Sequence, residues 1–543
     1  MKLVHSIDGG GMDDSKTTFQ VVGDGQRTVL EWLDENGYSG VVSPCGGNGL
    51  CGKCLVRIVQ GDAGKICADE ERQLADHSRE AGFRLACRTV VPQGNTVEVE
   101  IPGAQSSRQI LSGFDRSTSE PVGREPLLTD SFGCAVDIGT TTVVVYLVDL
   151  TTKAILDNRC ALNLQQAFGA DVISRIQYAQ RGARDLVRLQ QTIVGQLDRM
   201  MADLCKAHAV SPGHLVKATA VGNPTMLHLL LGVDPSGIAW APFIPAFTAQ
   251  KQVSLGALGF RTAPQADLYL PGSVSAYVGS DITAGIQTTS MVGQEKPILY
   301  IDIGTNGEIA LWDGETLHCC SSAAGPAFEG ASISQGLGAV DGAIDHLWLQ
   351  DGNRLGFSTL GGRAPIGLCG SGIIDVMALM LDLGLVDSTG SMRPVADDTT
   401  GLLFSGPSGP CVRICPTVGF THRDVREVQL AKAAIAAGIQ TLLHESGLTD
   451  DRLSSLLIAG GFGAFIDTTR AQSIGLLPQV DPDLIHVVGN AAGKGAIAAL
   501  LSASDAEQIE YIRSHARYHE LSSSPLFQEL YIEQMFFPTG EGS

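Results

Sequence analysis

Short alternating runs of apolar and polar residues fill the first hundred positions. Thr17-Thr18-Phe19-Gln20-Val21-Val22 predicts a strand, with Gly23-Asp24-Gly25 as its turn. Thr28 to Gly37 changes to helical spacing: Thr28 can cap, Glu31 stands three residues on, and Gly37 stops the helix. Leu55 to Val59 alternates again, as do Thr89-Val90-Val91, ended by Pro92, and Val97 to Ile101, which together suggest a small sheet. Residues 104–130 lose periodicity and read as a polar linker, and residues 1–15 as a flexible N-terminus. Beyond it the apolar runs lengthen. Gly133 to Val145 reads as strand, tight Gly-Thr turn and strand, and Leu299 to Leu311 repeats that plan. Leu456-Leu457-Ile458-Ala459 is a buried strand running into Gly460-Gly461 and a helix start. Ile485 to Val488 is another strand, before the small-residue helix that Asn490 opens.

A chain of 543 residues exceeds what one core holds, so two to about four domains are expected. Hydrophobic residues are 44% and charged ones 17%, the balance of a globular protein. The net charge of -21 offers no basic field for phosphate backbones and argues against nucleic acid as partner. No apolar run approaches the length of a membrane span, and residues 1–18 have no apolar core of a secretion signal. Thirteen cysteines in such a length are too sparse for a disulfide scaffold. The expectation is a cytoplasmic protein whose thiols are free or metal-bound.

Three of those thiols crowd into Cys45-Gly46-Gly47-Asn48-Gly49-Leu50-Cys51-Gly52-Lys53-Cys54, and Cys87 lies 33 positions after Cys54. Cys-x5-Cys-x2-Cys with a distant fourth thiolate suits a 2Fe–2S cluster, the glycines letting the backbone fold round its sulfurs. Unrelated buried thiols or a zinc site are the alternatives, and Cys67 also lies nearby. Gly47, Gly49 and Gly52 also spell G-x-G-x-x-G, but no buried strand leads in, so a dinucleotide site is not expected.

The repeated core is Asp137-Ile138-Gly139-Thr140 and Asp302-Ile303-Gly304-Thr305, 165 residues apart. Gly lets the backbone approach phosphate oxygens, and Thr140, Thr141, Thr142, Thr305 and Asn306 supply donors. Asp137 and Asp302, at strand ends, can hold Mg2+ through water or orient an attacking water. Gly460 and Gly461 allow close backbone approach, which suits a flat adenosine. Gly489 to Gly495 lacks P-loop spacing and its Ser/Thr.

Strand, turn, helix, cysteine loop and the later Leu85-Ala86-Cys87-Arg88-Thr89 resemble a plant- or adrenodoxin-type ferredoxin of β-grasp fold. The five-residue first gap is nearer the adrenodoxin spacing. The resemblance implies Cys45, Cys51, Cys54 and Cys87 as ligands, with Cys87 preferred to Cys67. The two Asp-Ile-Gly-Thr loops with Gly460-Gly461-Phe462-Gly463 resemble the phosphate and adenosine segments of the actin, heat-shock chaperone and sugar/acetate kinase superfamily. The expected fold class is therefore multidomain, α/β and α+β. A β-grasp 2Fe–2S ferredoxin domain (16–103) leads, through a linker (104–130), to a two-lobed actin-like ATPase fold. The latter divides into a small middle domain with the first phosphate loop (131–210) and a nucleotide-binding domain (211–543).

This combination is similar to the reductive activators of corrinoid-dependent methyltransferases. Phe168 to Ile176, Val221 to Leu230, Ala324 to Gly330 and Gly367 to Asp375 look like further segments of that family. The resemblance implies ATP-dependent transfer of one electron from the cluster to reduce inactive Co(II) of a corrinoid protein to Co(I). It implies a 2Fe–2S cluster, ATP and Mg2+ as cofactors. The partners implied are a corrinoid protein and a low-potential electron donor, and a homodimer is compatible with it. The alternative is a redox-sensing small-molecule kinase of the same fold or a general ferredoxin-like carrier. His228 reads as a packed helix residue, and Cys319, Cys320, Cys411 and Cys415 as structural thiols. Cys369 is not expected to be a nucleophile. Glu329 reads equally as a contact to ribose or a partner and as a loop-stabilising residue.

Overall fold

The computed structural model describes residues 17–36, 41, 47, 49, 52, 54–74, 79, 81–101, 131–350, 354–406, 409–461 and 466–538. The expected flexible N-terminus and the 104–130 linker lie outside the described residues, as do Cys45 and Cys51. The chain divides into two compact units. One takes residues 1–108, 162–196 and 228–240; the other takes 109–161, 197–227 and 241–543.

In the first unit, β1 (Thr17–Val22), β2 (Leu55–Gln60), β3 (Phe83–Leu85) and β4 (Thr96–Ile101) form one sheet in the order β1-β4-β2-β3. Along β4, Val97, Val99 and Ile101 point into the core while Thr96 is exposed, the period-two pattern of a half-buried strand. The helix Val29–Glu35 adds Val29, Leu30 and Leu33 to that core. Its start is the expected capping box: the Thr28 amide donates to Glu31 Oε2 at 2.8 Å and the Glu31 amide to Thr28 Oγ1 at 3.2 Å. The strand expected at Thr89–Val91 is instead a single bridge from Val90 to Thr28. The reason lies just before it, where the Arg88 and Thr89 amides both donate to Leu85 O and turn the chain. The ladder is carried by β3 instead, and a short helix, Ala68–Gln73, precedes it.

The second unit holds two six-stranded sheets built on one plan. β5 (Phe132–Ile138), β6 (Thr142–Asp149) and β7 (Ile155–Leu162) run as a meander, and β8 (Leu215–Gly222) lies parallel to β5. β9 (Lys251–Ser254) and β10 (Asp267–Leu270) complete the order β7-β6-β5-β8-β10-β9. This sheet takes strands from both sides of residues 210–211. The second sheet repeats the scheme with β11 (Ile298–Ile303), β12 (Gly307–Trp312) and β13 (Leu317–Ser322). β14 (Ala343–Gln350), β15 (Arg354–Thr359) and β16 (Gly367–Leu368) form a small sheet, as do β17 (Leu403–Gly406), β18 (Gly409–Arg413) and β19 (Gly419–Thr421). β20 (Ser455–Ala459) then returns parallel to β11, followed by β21 (Ile485–Gly489) and β22 (Ala516–Tyr518), giving β21-β20-β11-β12-β13-β22. Consecutive residues of β5 and β11 are buried, so both faces of these strands are covered, which is why their sequences are nearly continuous apolar runs.

Two helices between these sheets are made of small residues. Ser280–Thr289 and Ala491–Leu501 approach so closely that a Cβ on Gly495 would stand 2.2 Å from Ala284 O. A Cβ on Gly285 would stand 2.3 Å from the Tyr300 hydroxyl, and one on Gly493 2.8 Å from that of Tyr146. Asn490 caps the second helix by accepting from the Gly493 amide at 2.7 Å. The helix start expected directly after Gly460-Gly461 falls on residues 462–465, outside the described residues; the helix Thr468–Ser473, capped by Asp467, follows.

Candidate functional site

Cys54 and Cys87 are both buried, and their sulfurs lie 3.2 Å apart, beyond the length of a disulfide bond. Gly47, Gly49 and Gly52 all take positive φ. At Gly49 the need is steric as well: a Cβ there would meet the Arg88 guanidinium at 2.2 Å. Cys54, at the end of a loop whose described glycines are left-handed, with its sulfur beside that of the distant Cys87, fits the sulfur ligation of an iron–sulfur cluster. Cys67 instead caps the helix Ala68–Gln73.

Glu70 holds the segment that carries Cys87. Its fully buried carboxylate takes a bidentate pair from Arg84, Nε to Oε1 at 2.8 Å and Nη2 to Oε2 at 2.9 Å. It also accepts from the Leu85 amide at 3.1 Å and Thr89 Oγ1 at 3.2 Å. Burial alone would raise its pKa, but the Arg84 hydrogen bonds and the Cys67 and Leu85 amides more than offset that and hold it below the ordinary value.

In the second unit Asp137 and Asp302 stand near the C-terminal ends of β5 and β11, and both are half-buried. Burial pushes Asp137 up to about 6, moderated by Asn490 Nδ2, which donates to its Oδ2 at 2.9 Å. Burial, then the charges of Asp137 and Glu329, push Asp302 up to about 7. Two further carboxylates join them. Asp281, in the first turn of Ser280–Thr289, is pushed up to about 8 by burial and by Asp302 and Asp137. Glu308, the cross-strand neighbour of Asp302, is driven well above its ordinary value by burial, Asp281 and Asp302. Neither was singled out from the sequence. The readable signal for Glu308 was the hairpin register, and for Asp281 a Gly-Ser-Asp helix start after a buried valine.

The two loops meet. Gly139 N donates to Thr142 O at 2.9 Å and Gly304 N to Asn306 O at 3.0 Å, closing each turn. Thr141 Oγ1 and Thr305 Oγ1 lie 3.5 Å apart, and both donate to Glu329 Oε2, at 2.8 and 2.5 Å. Thr140 instead accepts from Asn223 Nδ2 at 3.0 Å, and Thr142 begins β6. Gly460 has φ +94°, and a Cβ there would stand 2.7 Å from Asp302 Oδ1, so the second loop and the glycine turn are in contact. Around Gly461 a Cβ would meet nothing within 4 Å among the described residues. Among the described residues, no three His, Cys, Asp or Glu side chains converge to ligate a metal directly.

His228 is fully buried in the helix Pro224–Leu231, and burial pushes up the thiols of Cys319, Cys320 and Cys369. Among the described residues no helix is long and apolar enough to cross a membrane.

Three family models match the chain. Residues 12–92 match the 2Fe-2S iron-sulfur cluster binding domain, 132–294 the RACo middle region, and 296–543 the C-terminal domain of RACo, the ASKHA domain. A corrinoid activation enzyme of Eubacterium limosum, RamQ, is 34% identical over 75% of this chain and 70% of its own length. This chain belongs to the corrinoid activation family. A second member, the [Co(II) methylated amine-specific corrinoid protein] reductase of Methanosarcina barkeri, is 24% identical over 75% of this chain and 77% of its own. The solved structure of a reductive activator for corrinoid, iron-sulfur protein superposes with a TM-score of 0.70. Its identity is 29%, covering 96% of this chain and 97% of that one. The corrinoid activation protein described here thus joins a cluster-binding ferredoxin domain to a nucleotide-binding ASKHA domain.

Proposed function

We propose that this corrinoid activation protein carries out ATP-dependent reductive activation of a corrinoid protein, passing one electron at a time to return inactive Co(II) to Co(I). The supporting observation is that one chain joins a cysteine loop of ferredoxin type to two Asp-Ile-Gly-Thr loops whose threonines lie 3.5 Å apart. Cys45, Cys51, Cys54 and Cys87 are the proposed cluster ligands, and when bound such a cluster supplies one-electron transfer at low potential. A low-potential donor reduces the head, and a homodimer and a cytoplasmic setting fit the same reading. The proposed division is a head at 16–103, a tether at 104–130 and the nucleotide-binding region beyond, with its first phosphate loop in 131–210.

Gly139, Thr140, Thr141 and Thr142 on one side and Gly304, Thr305 and Asn306 on the other take the phosphates, with Gly460 and Gly461 against the adenosine. Asp137 and Asp302 orient water and hold Mg2+ through its hydration shell. That fits side chains that do not converge for direct ligation, since Mg2+ keeps several waters. Their raised proton affinities fit too: desolvation raises both and the Asp137 and Glu329 charges raise Asp302 further, and a divalent ion would supply the opposite charge. Nucleotide can drive the reaction only by binding two conformations unequally. The test mixes the cluster-loaded protein with a Co(II) corrinoid protein and a chemical reductant, with and without Mg·ATP, and follows Co(I) absorbance. Faster or fuller Co(I) formation with Mg·ATP is expected, and identical traces would refute the coupling.

A further inference from the structure

The mechanism above leaves Glu329 unused. Its Oε2 accepts from one threonine of each phosphate loop, Thr141 at 2.8 Å and Thr305 at 2.5 Å. Its other oxygen faces the second loop as well, since a Cβ on Gly304 would stand 3.7 Å from Oε1. A carboxylate therefore sits on the hydroxyl pair that two converging anion-binding loops present. Both of its chain neighbours are packed. Phe328 before it is buried in the core of the β11 sheet. Gly330 after it has φ +78° and packs so tightly that a Cβ would stand 2.4 Å from Leu337 N.

We propose that Glu329 is an internal ligand of the phosphate seat: before nucleotide binds, its carboxylate takes the Thr141 and Thr305 hydroxyls, and the terminal phosphate of ATP displaces it. This rests on the nucleotide reading of the site. Two anions cannot share those donors, because a phosphate group and a carboxylate in contact repel strongly. Nucleotide arrival and the release of the turn Ala324–Gly330 are then one event. That turn is anchored in the core through Phe328, so the phosphate is sensed beyond the loops that hold it. Glu329 is a positioning residue here, acting through the two threonines.

The experiment is titration calorimetry of the full-length protein with Mg·ADP and with a non-hydrolysable Mg·ATP analogue, on wild type, Glu329→Gln, Glu329→Ala and Thr141→Val. Expected is tighter analogue binding by about tenfold or more in both Glu329 variants, with a smaller gain for ADP, and weaker binding in Thr141→Val. Unchanged affinity together with hydrolysis lost in Glu329→Gln, read in parallel as phosphate release from ATP itself, would make it a water-orienting base and overturn the proposal. Weaker binding with a lowered melting temperature would make it a mere staple between loops, and overturn it equally. If folded wild type binds neither nucleotide, the underlying nucleotide reading fails instead.

Discussion

Two regions of this molecule bury carboxylates, and they do so in opposite ways. In the ferredoxin head, Glu70 meets Arg84 in a bidentate pair, accepts two backbone amides and a hydroxyl, and has its pKa lowered. In the second unit, Asp137, Asp281 and Asp302 are half-buried near one another, desolvation and like charges act on them, and their pKa values rise to about 6, 8 and 7. A satisfied buried charge is part of the frame. An unsatisfied cluster is a site prepared for something the chain itself does not supply. The comparison separates the residue that holds the Cys87 segment in place from those proposed above to face a cation and a phosphate.

The sharpest test of that distinction is Asp302→Asn. Hydrolysis of ATP, followed by phosphate release, should fall by about a hundredfold to ten-thousandfold. The melting temperature at pH 8 should hold or rise, because a buried uncompensated charge is gone. A variant that loses both activity and fold would erase the distinction. The converse is Glu70→Ala, which leaves the Arg84 guanidinium buried without its partner. It should destabilise the head by about 3–5 kcal/mol, read from loss of visible cluster absorbance in urea. A cost near zero would move Glu70 out of the structural class. Smaller is Gly460→Ala, where a left-handed φ and a Cβ 2.7 Å from Asp302 Oδ1 combine. It should cost about 1–3 kcal/mol and weaken nucleotide binding. Normal calorimetric affinity in that variant would detach Gly460 from the site.

The smallest effect concerns pH, and its sign differs between the regions. The cleft carboxylates hold their protons to higher pH folded than unfolded, where the ordinary value is 3.8. Their protonated form stabilises the fold at low pH, and that stability is lost as pH rises through about 6, 7 and 8. Glu70 behaves oppositely, its contribution being present above the unfolded pKa and lost on acidification. Scanning calorimetry without nucleotide should show the melting temperature of the second unit falling by about 2–4 °C from pH 5 to 8. Asp281→Asn should flatten that slope and Mg·ATP should reverse it; a slope that survives both would put its source elsewhere.

How much of this was legible in the sequence depends on contiguity. The cysteine loop and both Asp-Ile-Gly-Thr turns are single stretches, because a tight turn must carry its chemistry within a few residues. The helix start at Thr28 was readable for the same reason. Glu308 was not singled out, since its importance comes from standing opposite Asp302 across a hairpin, and register is a property of pairs. Asp281 comes from a different helix. Glu329 was noticed, but its partner loops lie 188 and 24 residues away, and nothing local names them. The strand expected at Thr89–Val91 failed because Thr89 joins Leu85 and Glu70 rather than a ladder, a choice set by the buried Glu70.

The paired helices Ser280–Thr289 and Ala491–Leu501 carry one more consequence. Helices that interdigitate large side chains are geared to one another, and moving one drags the other out of register. These two meet on glycine and alanine, with almost no teeth to mesh. Such a contact has the form of a bearing: it fixes the distance between its parts and sets few side-chain ridges against the small sliding steps of shear. Its tolerance is correspondingly tight. A single methyl group at position 495, 2.2 Å from Ala284 O, is enough to jam it.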